Sequence, residues 1–185
     1  MSEPTLHLPP EHRRAAAILD ELMEQVKIDY AFVGSIALNA WLDVPVAGSL
    51  DLLALISPER GSQLPMAATH RGFRVDREEI EAVRELDLLP MHFEGEQEIR
   101  VNVLMATNAL YSNMIARRRE VSINDDRTVW IIAPSDLALL LRVAENETAE
   151  SQFSSLLDRW ADELDVDGFN RNLRSIGLAR LEVVR

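Results

Sequence analysis

The stretch that most constrains this chain runs from Tyr30 to Ile56, YAFVGSIALNAWLDVPVAGSLDLLALI. An apolar run, Tyr30-Ala31-Phe32-Val33, stops at Gly34-Ser35. A short helical pattern follows through Ile36, Leu38, Ala40, Trp41 and Leu42, and Pro45 and Gly48 then mark a loop. A second apolar run, Leu50 to Ile56, carries one acid, Asp51. The spacing predicts strand, tight turn, helix, loop and strand. Gly34 permits a backbone geometry that a side chain would block, and Ser35 is placed to cap the helix. A carboxylate near the start of a strand otherwise built of Leu, Ala and Ile must lie at an exposed strand mouth or bind something.

The flanking sequence predicts helices and strands in alternation. Pro9-Pro10 opens a helix whose Ala15, Ile18, Leu19, Leu22, Met23 and Val26 recur at helical spacing. After Ile56, Ser57-Pro58-Glu59 starts a helix reaching Gly72, with Pro65 opening a second helical piece. Phe73-Arg74-Val75 is a short strand, and Asp76 to Leu86 is a helix with Ile80, Val83 and Leu86 inward. Leu88–Phe93 and Glu98–Leu104 form a hairpin across Glu94-Gly95-Glu96-Gln97. Thr107 to Arg118 is a helix capped by Thr107 or Asn108, and Arg117-Arg118-Arg119 suits the dipole at its end. Glu120–Ile123 and Thr128–Ile132 form a second hairpin, with Asp125-Asp126 as turn residues and Trp130 as packing. Ser135 or Asp136 caps an apolar helix over Leu137–Val143, and Thr148–Leu164 is amphipathic. A last helix pair, Phe169–Ile176 and Leu178–Val184, breaks at Gly177. The fold class is α+β, a small mixed β-sheet packed by helices with a helical C-terminal region. Residues 1–133 are expected to form the α+β core, with 134–185 as helices packed on it.

Val33-Gly34-Ser35 followed, after a gap from Ile36 to Gly48, by Ser49-Leu50-Asp51-Leu52 resembles the nucleotidyltransferase superfamily, the polymerase-beta-like fold. That family's signature places Gly-Gly or Gly-Ser before an acid–apolar–acid strand. On this register Ser49 stands where the first acid belongs and Asp51 is the second. The other register makes Asp51 the first acid and Leu53 the second, with a gap two residues longer. Either way one acid of the pair is missing. The family's third acid lies on a later strand, and Val101-Asn102-Val103-Leu104 matches that pattern with Asn102 in its place. Related minimal nucleotidyltransferases, including those of abortive-infection toxin systems in bacteria, begin a later helix with Asp-Leu and place a lysine four residues on. Here Asp136-Leu137 is kept and Leu141 holds the lysine position.

The resemblance implies Gly34 and Ser35 as contacts to a triphosphate, Asp51 as metal ligand and catalytic acid, and Ser49 and Asn102 as degenerate positions. Nucleotidyl transfer uses two Mg²⁺ ions about 3.5–4 Å apart, and their charge is offset by carboxylates. Serine and asparagine supply oxygen without charge. Glu94 or Glu98 could act as a substitute metal ligand, and Arg100 could pair with a phosphate or with one of those acids. The resemblance therefore implies a catalytically impaired nucleotidyltransferase-fold protein, a pseudoenzyme acting by nucleotide or partner binding. The alternatives are an active enzyme using Mg²⁺ and a nucleoside triphosphate to modify a small molecule, RNA or protein, and a pure interaction protein.

Composition narrows the setting. A net charge of −12 speaks against broad binding to nucleic-acid backbones, which needs clustered cations. The absence of cysteine excludes disulfides and thiolate metal sites. The N-terminal residues do not read as a signal peptide, no run is long enough for a membrane span, and the cytoplasm is the expected location. Lys27 is the only lysine, which reads as codon usage.

Overall fold

The computed structural model describes residues 4–46, 48–82, 86–124, 126–144, 146–163 and 165–175. Contacts divide the chain into Met1–Ile132 and Ala133–Arg185.

The first unit is built on seven strands: β1 (Asp29–Val33), β2 (Leu50–Leu55), β3 (Phe73–Arg74), β4 (Leu88–Glu94), β5 (Glu98–Met105), β6 (Arg119–Asn124) and β7 (Arg127–Ile131). They form one mixed sheet in the order β3-β4-β5-β2-β1-β7-β6. The β4–β5 and β6–β7 pairs are antiparallel hairpins, as alternation predicts. The centre is non-local: β2 pairs antiparallel with β1 and parallel with β5, and β1 pairs parallel with β7. Both edges are short or covered. β3 has two residues, and β6 is bulged between Ser122 and Asn124 and bridged by Thr5, with Leu6 N–H donating to Ser122 O at 2.8 Å.

Register assigns the side chains. Tyr30 and Phe32 share a face with Leu50, Leu52, Ala54, Val101 and Val103, all buried. Helix α1 (Pro10–Gln25) is tied to this face, where the Tyr30 hydroxyl donates to Asp20 Oδ1 at 2.6 Å. Ala31, Val33, Asp51, Leu53 and Asn102 belong to the other face.

Helix α2 (Gly34–Leu42) follows β1 without a linker and is anchored by Trp41, which is fully buried and donates to Ile132 O at 2.9 Å. Helices α3 (Pro58–His70), α4 (Arg77–Ala82) and α5 (Ala109–Ala116) complete the unit. The structure departs from the sequence reading at several ends. Pro65 lies inside a single α3 rather than opening a second piece. Asp76 Oδ1 accepts the Glu78 N–H and starts α4, while Val83 lies outside the described residues and Leu86 is exposed. Asn108 Oδ1, not Thr107, caps α5. Arg118 does more than offset a dipole: it lies 4.6 Å from the Trp130 ring centroid and donates to Asp29 at 2.8 Å.

The second unit holds α6 (Pro134–Val143), α7 (Glu147–Trp160), a 3-10 turn at Ala161–Glu163, and α8 (Val166–Ser175). Ala133 occupies the N-cap position of α6 with no side-chain cap bond, so neither Ser135 nor Asp136 caps it. Phe153 of α7 stacks on Phe169 of α8 at 6.1 Å between centroids. Asp125, Leu164 and the predicted 178–184 helix lie outside the described residues. The described residues contain one mixed sheet and eight α-helices, an α+β architecture. No helix among them is long and apolar enough to cross a membrane.

Candidate functional site

The turn between β1 and α2 sets the geometry. Gly34 has φ +58, and a Cβ built there would stand 2.8 Å from Asp51 Oδ2. Both the left-handed backbone and the approaching carboxylate demand glycine. Ser35 does not cap α2. Its hydroxyl donates to Ser49 O at 3.2 Å, fastening the turn to the entrance of β2.

Asp51 is the second residue of β2, opposite Val33 on one side and Asn102 on the other. Its Oδ1 accepts two hydrogen bonds, from Ser49 Oγ at 3.0 Å and from Asn102 Nδ2 at 2.7 Å. Arg100 Nε in turn donates to Asn102 Oδ1 at 3.2 Å. A guanidinium only donates and a carboxylate only accepts, so Asn102 is held with its amide nitrogen toward Asp51 and its carbonyl toward Arg100. Arg100 is exposed and makes no ion pair among the described residues. The structure thus brings Gly34, Ser35, Ser49, Asp51 and Asn102 together and adds Arg100 to them.

Glu94 and Glu98 stand elsewhere. Glu98 shares the Asn102 face of β5 but lies four residues away, about 13 Å along the strand. It accepts from Arg74 Nη2 at 2.9 Å, and His92 Nδ1 lies 3.1 Å from its other oxygen. The hydrogen bond from Arg74 holds the Glu98 carboxyl below the usual range. Glu94 lies 3.6 Å from Arg74, and Glu79 lies 2.8 Å from His92 Nε2. Arg74 and Glu79 were not singled out from the sequence. The signal for the face itself was present, since residues 98, 100 and 102 alternate on β5, but the partners come from β3 and α4.

The donor set does not fit a pair of magnesium ions. Ser49 and Asn102 direct hydrogens at Asp51, the Asn102 carbonyl is engaged by a cation, and Asp51 brings the single negative charge. Among the described residues no three His, Cys, Asp or Glu side chains are grouped to hold a metal ion. A cavity of about 480 Å³ in the same unit does not include Asp51; it lies between the C-terminal end of α1 and the length of α3.

No protein-family model matches the chain, and no curated protein matches it. Solved structures do. An antigenic nucleotidyltransferase-like protein from Paracoccidioides brasiliensis superposes with a TM-score of 0.58 at 12% identity, over 92% of this chain and 90% of that one. ANT(2")-Ia, solved with adenylyl-2"-tobramycin, gives 0.57 at 14% identity, over 90% of this chain and 98% of its own. The lincosamide antibiotic adenylyltransferase LnuA, bound to lincomycin, gives 0.51 at 14% identity, over 81% and 98%. Such likeness at such low identity is a likeness of fold. The turn at Gly34, the strand bearing Asp51 and the paired strand bearing Asn102 belong to a chain that has the nucleotidyltransferase fold.

Proposed function

We propose that this protein is a nucleotidyltransferase-fold binding protein whose two-metal chemistry has been lost, and that the face around Asp51 holds a nucleotide rather than transferring one. The observation that carries this reading is the double hydrogen bond into Asp51 Oδ1. Positions that would need to offer charged oxygens offer hydrogens instead. In this reading Gly34 and Ser35 approach the phosphates through the backbone, and Arg100 supplies the positive charge that metal ions would otherwise bring. The expected setting is the cytoplasm, where triphosphates are plentiful.

The decisive experiment incubates the purified chain with each of the four nucleoside triphosphates and Mg²⁺ or Mn²⁺. No nucleotide transfer is expected. Steady incorporation that disappears in Asp51→Ala overturns the reading. Calorimetry adds a second arm: triphosphate affinity should be nearly the same in EDTA and in Mg²⁺, and should fall about tenfold or more in Arg100→Glu.

The runner-up is an active Mg²⁺-dependent transferase acting on a small molecule, RNA or protein. It is favoured by the match to almost the whole of ANT(2")-Ia, a structure that carries an adenylylated antibiotic. That reading needs a second carboxylate beside Asp51. Glu98 would have to leave Arg74 and His92 to supply it.

A further inference from the structure

One cavity carries charge opposite to that of the chain. Against a formal net charge of −12, the cavity of about 480 Å³ beside α1 and α3 is lined by Lys27, Arg60, His70 and Arg71 and by no carboxylate. Some of that charge has a local use. Arg71 donates to Glu21 and to Gln25 Oε1, both at 2.8 Å, and Arg60 Nη1 reaches Val26 O at 3.4 Å. Lys27 and Arg71, just past the ends of α1 and α3, also suit the dipoles of those helices, whereas Arg60 stands in the first turn of α3. Lys27 and His70 are different: neither side chain has a partner among the described residues.

Lys27 is the single lysine of the chain, and it sits directly after the C-cap of α1 with φ +56. This is the position at which helices commonly place glycine, because side chains rarely adopt a left-handed backbone. Its N–H donates to Glu24 O at 3.1 Å and that of Ile28 to Met23 O at 2.9 Å, so the strained turn is well fastened. A lysine therefore stands where glycine would be less strained, on the wall of a cationic cavity. Beside the cations lie Val26, Ala67 and Met66, the last 65% exposed, which give the cavity an apolar wall. The volume suits a small-molecule ligand. An ammonium with an adjacent guanidinium suits a phosphate dianion.

We propose that this cavity binds a phosphomonoester carried on a ring, of the size of a nucleoside monophosphate. Its phosphate lies between Lys27 and Arg60, and its ring lies against Met66 and Ala67. The site is separate from Asp51. Lys27 precedes β1 and Gly34 follows it, so the length of the strand, about 15 Å, stands between them. The proposal goes beyond the reading of the Asp51 face and does not depend on it.

The test is calorimetric titration of the full chain at about 50 mM salt with AMP, inorganic phosphate and adenosine as separate probes. AMP should bind, phosphate more weakly, and adenosine not at all. Lys27→Glu and Arg60→Glu should each weaken AMP by about tenfold or more. Lys27→Gly should weaken AMP while raising the thermal unfolding midpoint, because glycine relaxes the turn. A purely structural Lys27 would move the midpoint alone. The proposal is overturned by the absence of saturable AMP binding, by an affinity indifferent to Lys27→Glu, by phosphate or adenosine matching AMP, or by loss of AMP binding in Asp51→Ala. That last result would assign the ligand to the Asp51 face, leaving the reading of that face standing.

Discussion

At the scale of single residues, Asp51 is an acid whose oxygen is already spoken for. Two neutral donors converge on Oδ1, and the adjoining Gly34, which has no Cβ, leaves room for Oδ2. Replacing one donor by an acid tests how far the pocket is tuned to a lone negative charge. In Asn102→Asp, two carboxylates would face each other at hydrogen-bonding distance, and Arg100 alone would offset them. We expect a loss of about 1–2 kcal/mol of stability at pH 7, read by thermal or urea unfolding. The loss should shrink in mild acid, where the pair can share a proton. Added Mg²⁺ should recover part of it in the variant and do little for the parent. An Asn102→Asp protein as stable as the parent without metal would mean that the hydrogen bond to Asp51 contributes nothing.

At the scale of elements, α1 and β1 are held together by a buried acid and a buried hydroxyl, Asp20 and Tyr30. Burial raises the Asp20 carboxyl above its usual 3.8, the Tyr30 hydroxyl opposes that rise by donating to it, and Tyr30 itself is pushed far up by burial and by Asp20. A raised folded-state value means that Asp20 favours the fold most in acid and loses that contribution as pH rises through the folded value. Tyr30→Phe removes the one donor that lowers it, so the rise becomes larger. The added penalty is absent below about 3.8 and grows as pH rises through the folded value. Unfolding at pH 7 should show a cost of about 1–3 kcal/mol, and a smaller one at pH 3. Equal costs at both values would assign the effect to lost packing. The elements themselves were largely legible in the sequence. An apolar run marks Leu88–Glu94, period-two alternation marks Glu98–Met105, and period 3.6 marks Pro10–Gln25 and Glu147–Trp160. Their order in the sheet was not, because β2–β5 pairing joins residues fifty-one apart. The same limit applies to the site. Asp51 and Asn102 stand out as polar residues in apolar strands, whereas Arg74 and Glu79 became relevant only through the pairing of β3 with β4 and the position of α4. Caps misled for a simpler reason: Ser35 and Ser135 stand where a cap belongs, but Ser35 gives its hydroxyl to Ser49 O and α6 takes no side-chain cap at all.

At the scale of the molecule, charge outweighs any single ion pair. Acids exceed Lys and Arg by 31 to 19, and the described pairs, such as Arg127–Glu21 at 2.6 Å, are surface or half-buried contacts of modest worth. Self-repulsion of an anionic chain is screened by salt. Raising NaCl from low ionic strength to about 150 mM should therefore lift the unfolding midpoint by a few degrees. A midpoint that falls would show the local pairs to dominate. The cluster at Lys27, Arg60 and Arg71 reverses the sign of the chain's charge locally.

The margins of the sheet carry a consequence for whatever this protein meets. One outermost strand is two residues long, and the other is kinked and shielded by Thr5. A peptide seeking to extend the sheet would find few amides to join at either of these two strands, and the bulge and the Thr5 bridge blunt β6 against pairing with a second copy of the chain.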